Sequence, residues 1–168
     1  GYNFRISELS AAVGLGQIRK LDQILETHRR NKAIVKEALS KVEGIAFRRI
    51  PDPEGDNASF LSFFLPTEEL AQKAHKALGE NGIAGNFYWY NNNWHYIKKW
   101  DHLKEGTSLF PLNPSLAQFL EQTDFSKFSQ SDAIMNRTIS SLIQLSWTEE
   151  QIRERAKNMA STLKEILS

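Results

Sequence analysis

Residues 1–30 read GYNFRISELSAAVGLGQIRKLDQILETHRR. The stretch is a polar lead-in followed by a helical pattern. Ser7 suits an N-cap, because its hydroxyl accepts from a free backbone N–H, and Glu8 puts an acid in the first turn, where the helix dipole favours it. Ahead of the cap, Asn3 and Arg5 flank Phe4. In an extended chain successive side chains alternate, so Asn3 and Arg5 point one way and Phe4 the other. An amide beside a guanidinium at a helix entrance suits an anionic ligand, since unpaired backbone N–H groups converge there as well. Surface hydrogen bonding plus a helix cap accounts for the same residues, and the pattern alone leaves both readings open.

Working outward, the helical pattern runs from Ser7 to about Val42. Leu21, Ile24, Leu25, His28, Val35, Ala38, Leu39 and Val42 recur at three- and four-residue steps and define one apolar face. Such a helix is longer than the ordinary ~11–12 residues, so it is expected to bridge two bodies. Gly14 and Gly16 each cost about 1 kcal/mol relative to alanine inside a helix. Close approach of another backbone explains them, and so does a kink. Gly44 is expected to end the helix.

Beyond Gly44, Ile45 to Ile50 reads as a strand, and the Pro, Gly and Asp residues from Pro51 to Asn57 as a turn. Ser59 to Leu65 is a strongly apolar strand. Thr67 is an N-cap with Glu68 and Glu69 behind it, and Leu70, Ala74, Ala77 and Leu78 form the inner face of the helix it opens. Asn81-Gly82 stops that helix, and Ile83 to Tyr90 reads as a third strand. After a loop region with short helices around Leu116–Leu120 and Ser129–Asn136, a strand is expected over Leu142–Leu145. Thr148 and Gln151 form a capping box for a last amphipathic helix through Ile152, Ala156, Met159, Leu163 and Ile166. This order predicts an α+β layer, a small mixed or antiparallel sheet with helices on one face.

Residues 86–96, NFYWYNNNWHY, hold six aromatic residues and four asparagines. Ring faces stack on sugars or bases, and amides read hydroxyls. A core strand ending in a turn explains the alternating rings, but not the asparagines, because buried amides need partners. His95, Asp101 and His102 match no strong metal-ligand spacing, so no metal site is expected. No nucleophile–base or phosphate-loop motif stands out.

Gly1, Asn3-Phe4-Arg5-Ile6-Ser7-Glu8-Leu9, Ala11-Ala12, Gly14, Gln17-Ile18, Leu21 and Arg29-Arg30 resemble the sugar aminotransferases of the DegT/StrS type. The resemblance implies the C-terminal portion of the aspartate-aminotransferase fold (pyridoxal-phosphate fold type I). Residues 1–44 would be the lead-in motif and interdomain helix, residues 45–168 the small α+β domain. A cofactor-binding large domain would precede Gly1 and carry the lysine that anchors the cofactor and the aspartate that pairs with its ring nitrogen. The resemblance further implies pyridoxal 5'-phosphate as cofactor and a homodimer with cofactor sites shared across the interface. Asn3 would bind the cofactor phosphate of the neighbouring subunit, and Arg5 would meet an anionic substrate group at the mouth of that site. His95, with Asn93 and Trp94, would contact the sugar. The implied reaction moves an amino group from an amino acid such as glutamate to a keto or aldehyde carbon of a sugar. The Asn-Trp-His run resembles members acting on octulosonate-type sugars, including formation of 8-amino-Kdo for lipopolysaccharide. The chain departs from the family's habit of prolines in this segment, having none between Pro66 and Pro111. Two alternatives remain at this point: a sugar dehydratase of the same fold, and a carbohydrate-binding module without chemistry.

Composition narrows the classes further. At 168 residues and 40% apolar content, the chain suffices for one core. A net charge of +1 gives no electrostatic case for nucleic acid or membrane. The absence of cysteine excludes disulfides and thiolate chemistry, and fits the cytoplasm. No apolar run reaches the ~20 residues of a membrane span.

Overall fold

The computed structural model describes residues 5–91 and 95–168, leaving aside the side chain of Phe125. Helices α1 (Glu8–Ile18) and α2 (Leu21–Leu39) lead into strands β1 (Ala46–Phe47) and β2 (Phe60–Phe64). Then come α3 (Glu68–Glu80), β3 (Asn86–Phe87), α4 (Asp101–Lys104), α5 (Pro114–Gln122), α6 (Ser129–Met135), β4 (Thr138–Leu142) and α7 (Glu149–Leu167). The strands form one antiparallel sheet in the order β1-β2-β4-β3.

The caps form where the sequence puts them. Ser7, Thr67 and Thr148 accept from the backbone N–H groups of Ser10, Leu70 and Gln151. The Thr148–Gln151 box is reciprocal, with the Gln151 side chain accepting from the Thr148 N–H at 2.9 Å. Gly44 adopts φ +88°, and a Cβ there would lie 3.3 Å from the Pro66 ring, so the turn after α2 needs glycine both for its backbone and for its space.

Helices α2, α3 and α7 cover one face of the sheet, with α7 packed against both of the others. Their inward residues, Val35 and Leu39, Ala71, Ala74 and Leu78, and Ile152, Ala156, Met159 and Leu163, join Leu61, Phe63, Ile139 and Ile143 in one core. On β2 the alternation is strict. Leu61 and Phe63 are buried, while Phe60, Ser62 and Phe64 point to the other face and are half-buried.

Three expectations are corrected. The continuous helix from Ser7 to Val42 is two helices, broken at Arg19–Lys20, where the Lys20 N–H turns back to Gln17 O at 3.0 Å and the Ile24 N–H to Lys20 O starts α2. The glycines weaken α1 ahead of this break, but no described atom outside the local helix backbone lies within 4 Å of a Cβ at Gly14 or Gly16. The third strand shrinks to Asn86–Phe87, because Tyr88 turns inward and donates to Asn136 O at 2.6 Å while Trp89–Asn91 coil into a 3₁₀ turn. The last strand is Thr138–Leu142, earlier than Leu142–Leu145. Its serines disguise it, yet each hydroxyl is satisfied: Ser140 Oγ pairs with Ser62 Oγ at 2.9 Å, and Ser141 Oγ donates to Asn86 Oδ1.

Helix α1 buries none of its residues, and Leu9, Val13 and Ile18 are each more than half exposed. Deleting residues 1–18 is therefore expected to leave the urea midpoint of the 168-residue chain within error and to reduce its self-association in sedimentation velocity. A lowered midpoint would mean that α1 packs on the domain.

Candidate functional site

With α2, α3 and α7 packed on one side, the middle of the second sheet face is uncovered among the described residues. The cross-strand pairs Ser62–Ser140 and Phe64–Thr138 put these side chains on that face, and Phe87, paired with Ser140, joins them. Ser62, Ser140, Phe64 and Thr138 floor a pocket of about 560 Å³. Phe60, Ser62, Phe64, Thr138 and Ser140 form its base, Arg48, Asp56, Asn57 and Ser59 one wall, Trp89 and His95 the opposite wall, and Ile134 and Met135 one end. An apolar floor with a few convergent polar groups is the usual form of a small-molecule site.

The aromatic run divides by parity. Phe87 and Trp89 stack nearly parallel, with centroids 4.7 Å apart and planes at 6°, and Phe60 lies 6.1 Å from Phe87. His95 sits edge-on to Trp89 at 4.5 Å. Tyr90 and Tyr96, on the other parity, donate to Asp132 of α6, and Tyr96 does so at 2.8 Å. Lys98 closes an ion pair on the same carboxylate, and Lys99 lies 4.7 Å from the Tyr90 ring centroid. The tyrosines anchor the run on α6; Trp89, backed by Phe87, and His95 face the pocket.

Burial, and then the Asp132 hydrogen bond and charge, push the Tyr96 hydroxyl from 10 up to about 12. The Lys98 hydrogen bond, against burial and helped by Tyr96, holds the Asp132 carboxyl below its ordinary value. A raised folded-state value means that the Tyr96 contribution is whole below pH 10 and is lost as pH climbs towards 12. The depressed Asp132 contributes above its unfolded value of about 3.9, and that contribution is lost as pH falls through the folded value. Tyr96→Phe is thus expected to make the alkaline decline of thermal stability shallower between pH 9 and 12 and, because it removes one of the hydrogen bonds that depress Asp132, to make the acid decline shallower as well. An unchanged alkaline limb would place Tyr96 outside this network.

On the polar wall, burial opposes ionisation of Asp56, but the Lys32 hydrogen bond, the Ala58 N–H and the charges of Lys32 and Arg48 outweigh it, and the carboxyl stays below its ordinary value. No lysine lines the pocket among the described residues. Nor do the described residues contain a group of three or more side chains suited to a metal ion.

Of the residues singled out in the sequence, His95 lines this pocket. Arg5 is exposed just ahead of α1 and is not part of the lining. Asn3, Asn93 and Trp94 lie outside the described residues. Arg48, Asp56, Phe60, Phe64 and Trp89 were not foreseen as one site. The available signal was the two-sided apolar strand FLSFF in a sheet with helices on one face, which leaves alternate aromatics uncovered.

A model of the DegT/DnrJ/EryC1/StrS aminotransferase family matches residues 1–160. Among solved structures, 3-amino-5-hydroxybenzoic acid (AHBA) synthase shares the fold, with a TM-score of 0.64 at 17% identity over 98% of this chain. The chain spans 41% of that synthase.

Proposed function

Because the chain belongs to the DegT/DnrJ/EryC1/StrS aminotransferase family, we propose that it is the small-domain part of a pyridoxal-phosphate enzyme that transfers an amino group from an amino acid, glutamate first, to a keto or aldehyde carbon of a sugar. The observation that carries this reading is the family match over nearly the whole chain. The open-face pocket supports the sugar half: a Phe87–Trp89 stack and His95 stand opposite a polar wall.

When bound, the cofactor supplies the electron sink for amino transfer, and the protein supplies position and charge. In this reading Asn3 holds the cofactor phosphate of the neighbouring subunit of a homodimer, and Arg5 meets an anionic substrate group. The anchoring lysine belongs to a part of the protein outside these residues, as do the remaining cofactor contacts. Trp89 presents a ring face to the sugar, His95 hydrogen-bonds one of its hydroxyls, and Asn93 and Trp94 extend that contact. An octulosonate-type sugar, aminated at C8 for lipopolysaccharide in the cytoplasm, is the acceptor favoured by the Asn-Trp-His run.

The test is amino transfer by the full-length protein. Release of 2-oxoglutarate from glutamate, dependent on a keto- or aldehydo-sugar and accompanied by cofactor absorbance, is the expected result. A full-length protein without cofactor absorbance and without sugar-dependent 2-oxoglutarate release overturns the reading.

A further inference from the structure

The connection between β1 and β2 is tied down from Asp52 to Ser59. Asp52 Oδ1 accepts the Gly55 N–H at 3.0 Å, and Asn57 Oδ1 accepts both the Ser59 N–H at 3.0 Å and its hydroxyl at 2.8 Å. Arg29 of α2 donates to the carbonyls of Glu54 and Asp56. Ala58 is buried and held at φ +58°, a left-handed conformation that L-residues other than Asn and Asp seldom adopt.

Two features go beyond what a connection needs. Lys32 of α2 is only 6% exposed, and its ammonium is spent on Asp56 Oδ2. Burying a lysine is costly unless its partner is fixed. Asp56, in turn, lines the pocket across from Trp89 and His95. Its Oδ1 accepts the Ala58 N–H at 3.2 Å, and its Oδ2 accepts from Lys32. An ionised carboxylate has about four acceptor positions, so each oxygen keeps one for a ligand. Because a carboxylate only accepts, its complement in a ligand is a hydrogen-bond donor, and on a sugar the donors are hydroxyls.

We propose that Asp56 is a specificity-determining residue of this pocket, accepting hydrogen bonds from the hydroxyls of a sugar, and that Lys32 is the positioning residue that fixes it. The inference rests on the sugar-binding reading above. Lys32 reaches the ligand only through Asp56. The strained Ala58 and the Arg29 hooks keep the Asp56 backbone in place, so the side chain is set before a ligand arrives.

The experiment compares sugars with their deoxy partners on the full-length holoenzyme by NMR titration. The probes are glucose with 2-deoxyglucose and 3-deoxyglucose, galactose with 6-deoxygalactose, and Kdo. The unsubstituted enzyme is expected to bind at least one hydroxylated probe tenfold or more tighter than its deoxy partner. Asp56→Asn and Lys32→Met bring that ratio to about one, and Lys32→Arg restores it. Equal weakening of both members of the pair in Lys32→Met would show a purely structural pair and overturn the proposal, as would an unchanged ratio in Asp56→Asn or no discrimination by the unsubstituted enzyme. If that enzyme binds no sugar probe, the sugar reading fails and the inference with it. 2-Oxoglutarate release from glutamate reports separately on the aminotransferase reading.

Discussion

Phe63→Ala is expected to remove about 3–5 kcal/mol of stability, a large part of the ~5–15 kcal/mol that holds a typical domain together. Phe63 is fully buried and sits on β2, the strand flanked by both β1 and β4. It pairs with Phe47 on one side and Ile139 on the other. The helix layer closes over it with Val35, Leu39, Met159 and Leu163 in the same core. Truncation there loses the transfer of a large ring and leaves a void that strands cannot easily collapse to fill. Urea denaturation of the purified variant measures it. A loss under about 1 kcal/mol would mean that the layer relaxes around Phe63 rather than packing on it.

Trp89→Ala acts on the other face and on a different observable. Trp89 is half-buried, stacked on Phe87 and in edge contact with His95. In the full enzyme the substitution removes the ring platform and the edge contact that His95 makes with it. An apolar contact of this size contributes about 1.5–3 kcal/mol, and its loss corresponds to roughly a 10- to 150-fold fall in kcat/KM for the sugar. Trp89→Phe should recover most of it. A kcat/KM for Trp89→Ala within threefold of the unsubstituted enzyme would remove Trp89 from the sugar site.

The parts of the fold written in local chemistry were readable from the sequence. Ser7, Thr67 and Thr148 announce helix starts because a hydroxyl next to a free N–H acts within one turn. Apolar spacing finds Val35 and Leu39 of α2, Ala74 and Leu78 of α3, and Ile152, Ala156, Met159 and Leu163 of α7, but it misses Asn31 and Lys32, which α2 buries as well, and it places the exposed Leu21 on the inner face. What failed depended on partners distant in the chain. The serines of β4 look unlike a strand until Ser62 and Asn86 are found opposite them. Tyr88 and Tyr90 look like strand residues until α6 and the turn behind it offer Asp132 and the Asn136 carbonyl. The pocket was hidden for the same reason. Arg48 and Asp56 meet Trp89 and His95 only because β2 and β4 lie between them, and no local pattern encodes that strand order. His95 was readable as a candidate through the family resemblance, which implies a histidine near the sugar after this strand; the run itself, with its rings and amides, suggested only a ligand surface. The division of labour between the tyrosines and the Phe–Trp stack emerges only from where the hydroxyls end.

The one-sided sheet has a consequence for how this chain tolerates change. Along β2, a substitution at Leu61 or Phe63 falls on the fold, while one at Phe60, Ser62 or Phe64 falls on the pocket. Along β4 the parity is set by pairing, with Ile139 inward and Thr138 and Ser140 against the pocket. Stability and ligand choice are therefore written on neighbouring letters of the same five-residue strands. The pocket lining can drift at every second position while the intervening residues keep the scaffold intact, so the domain can reshape this pocket without passing through an unfolded ancestor.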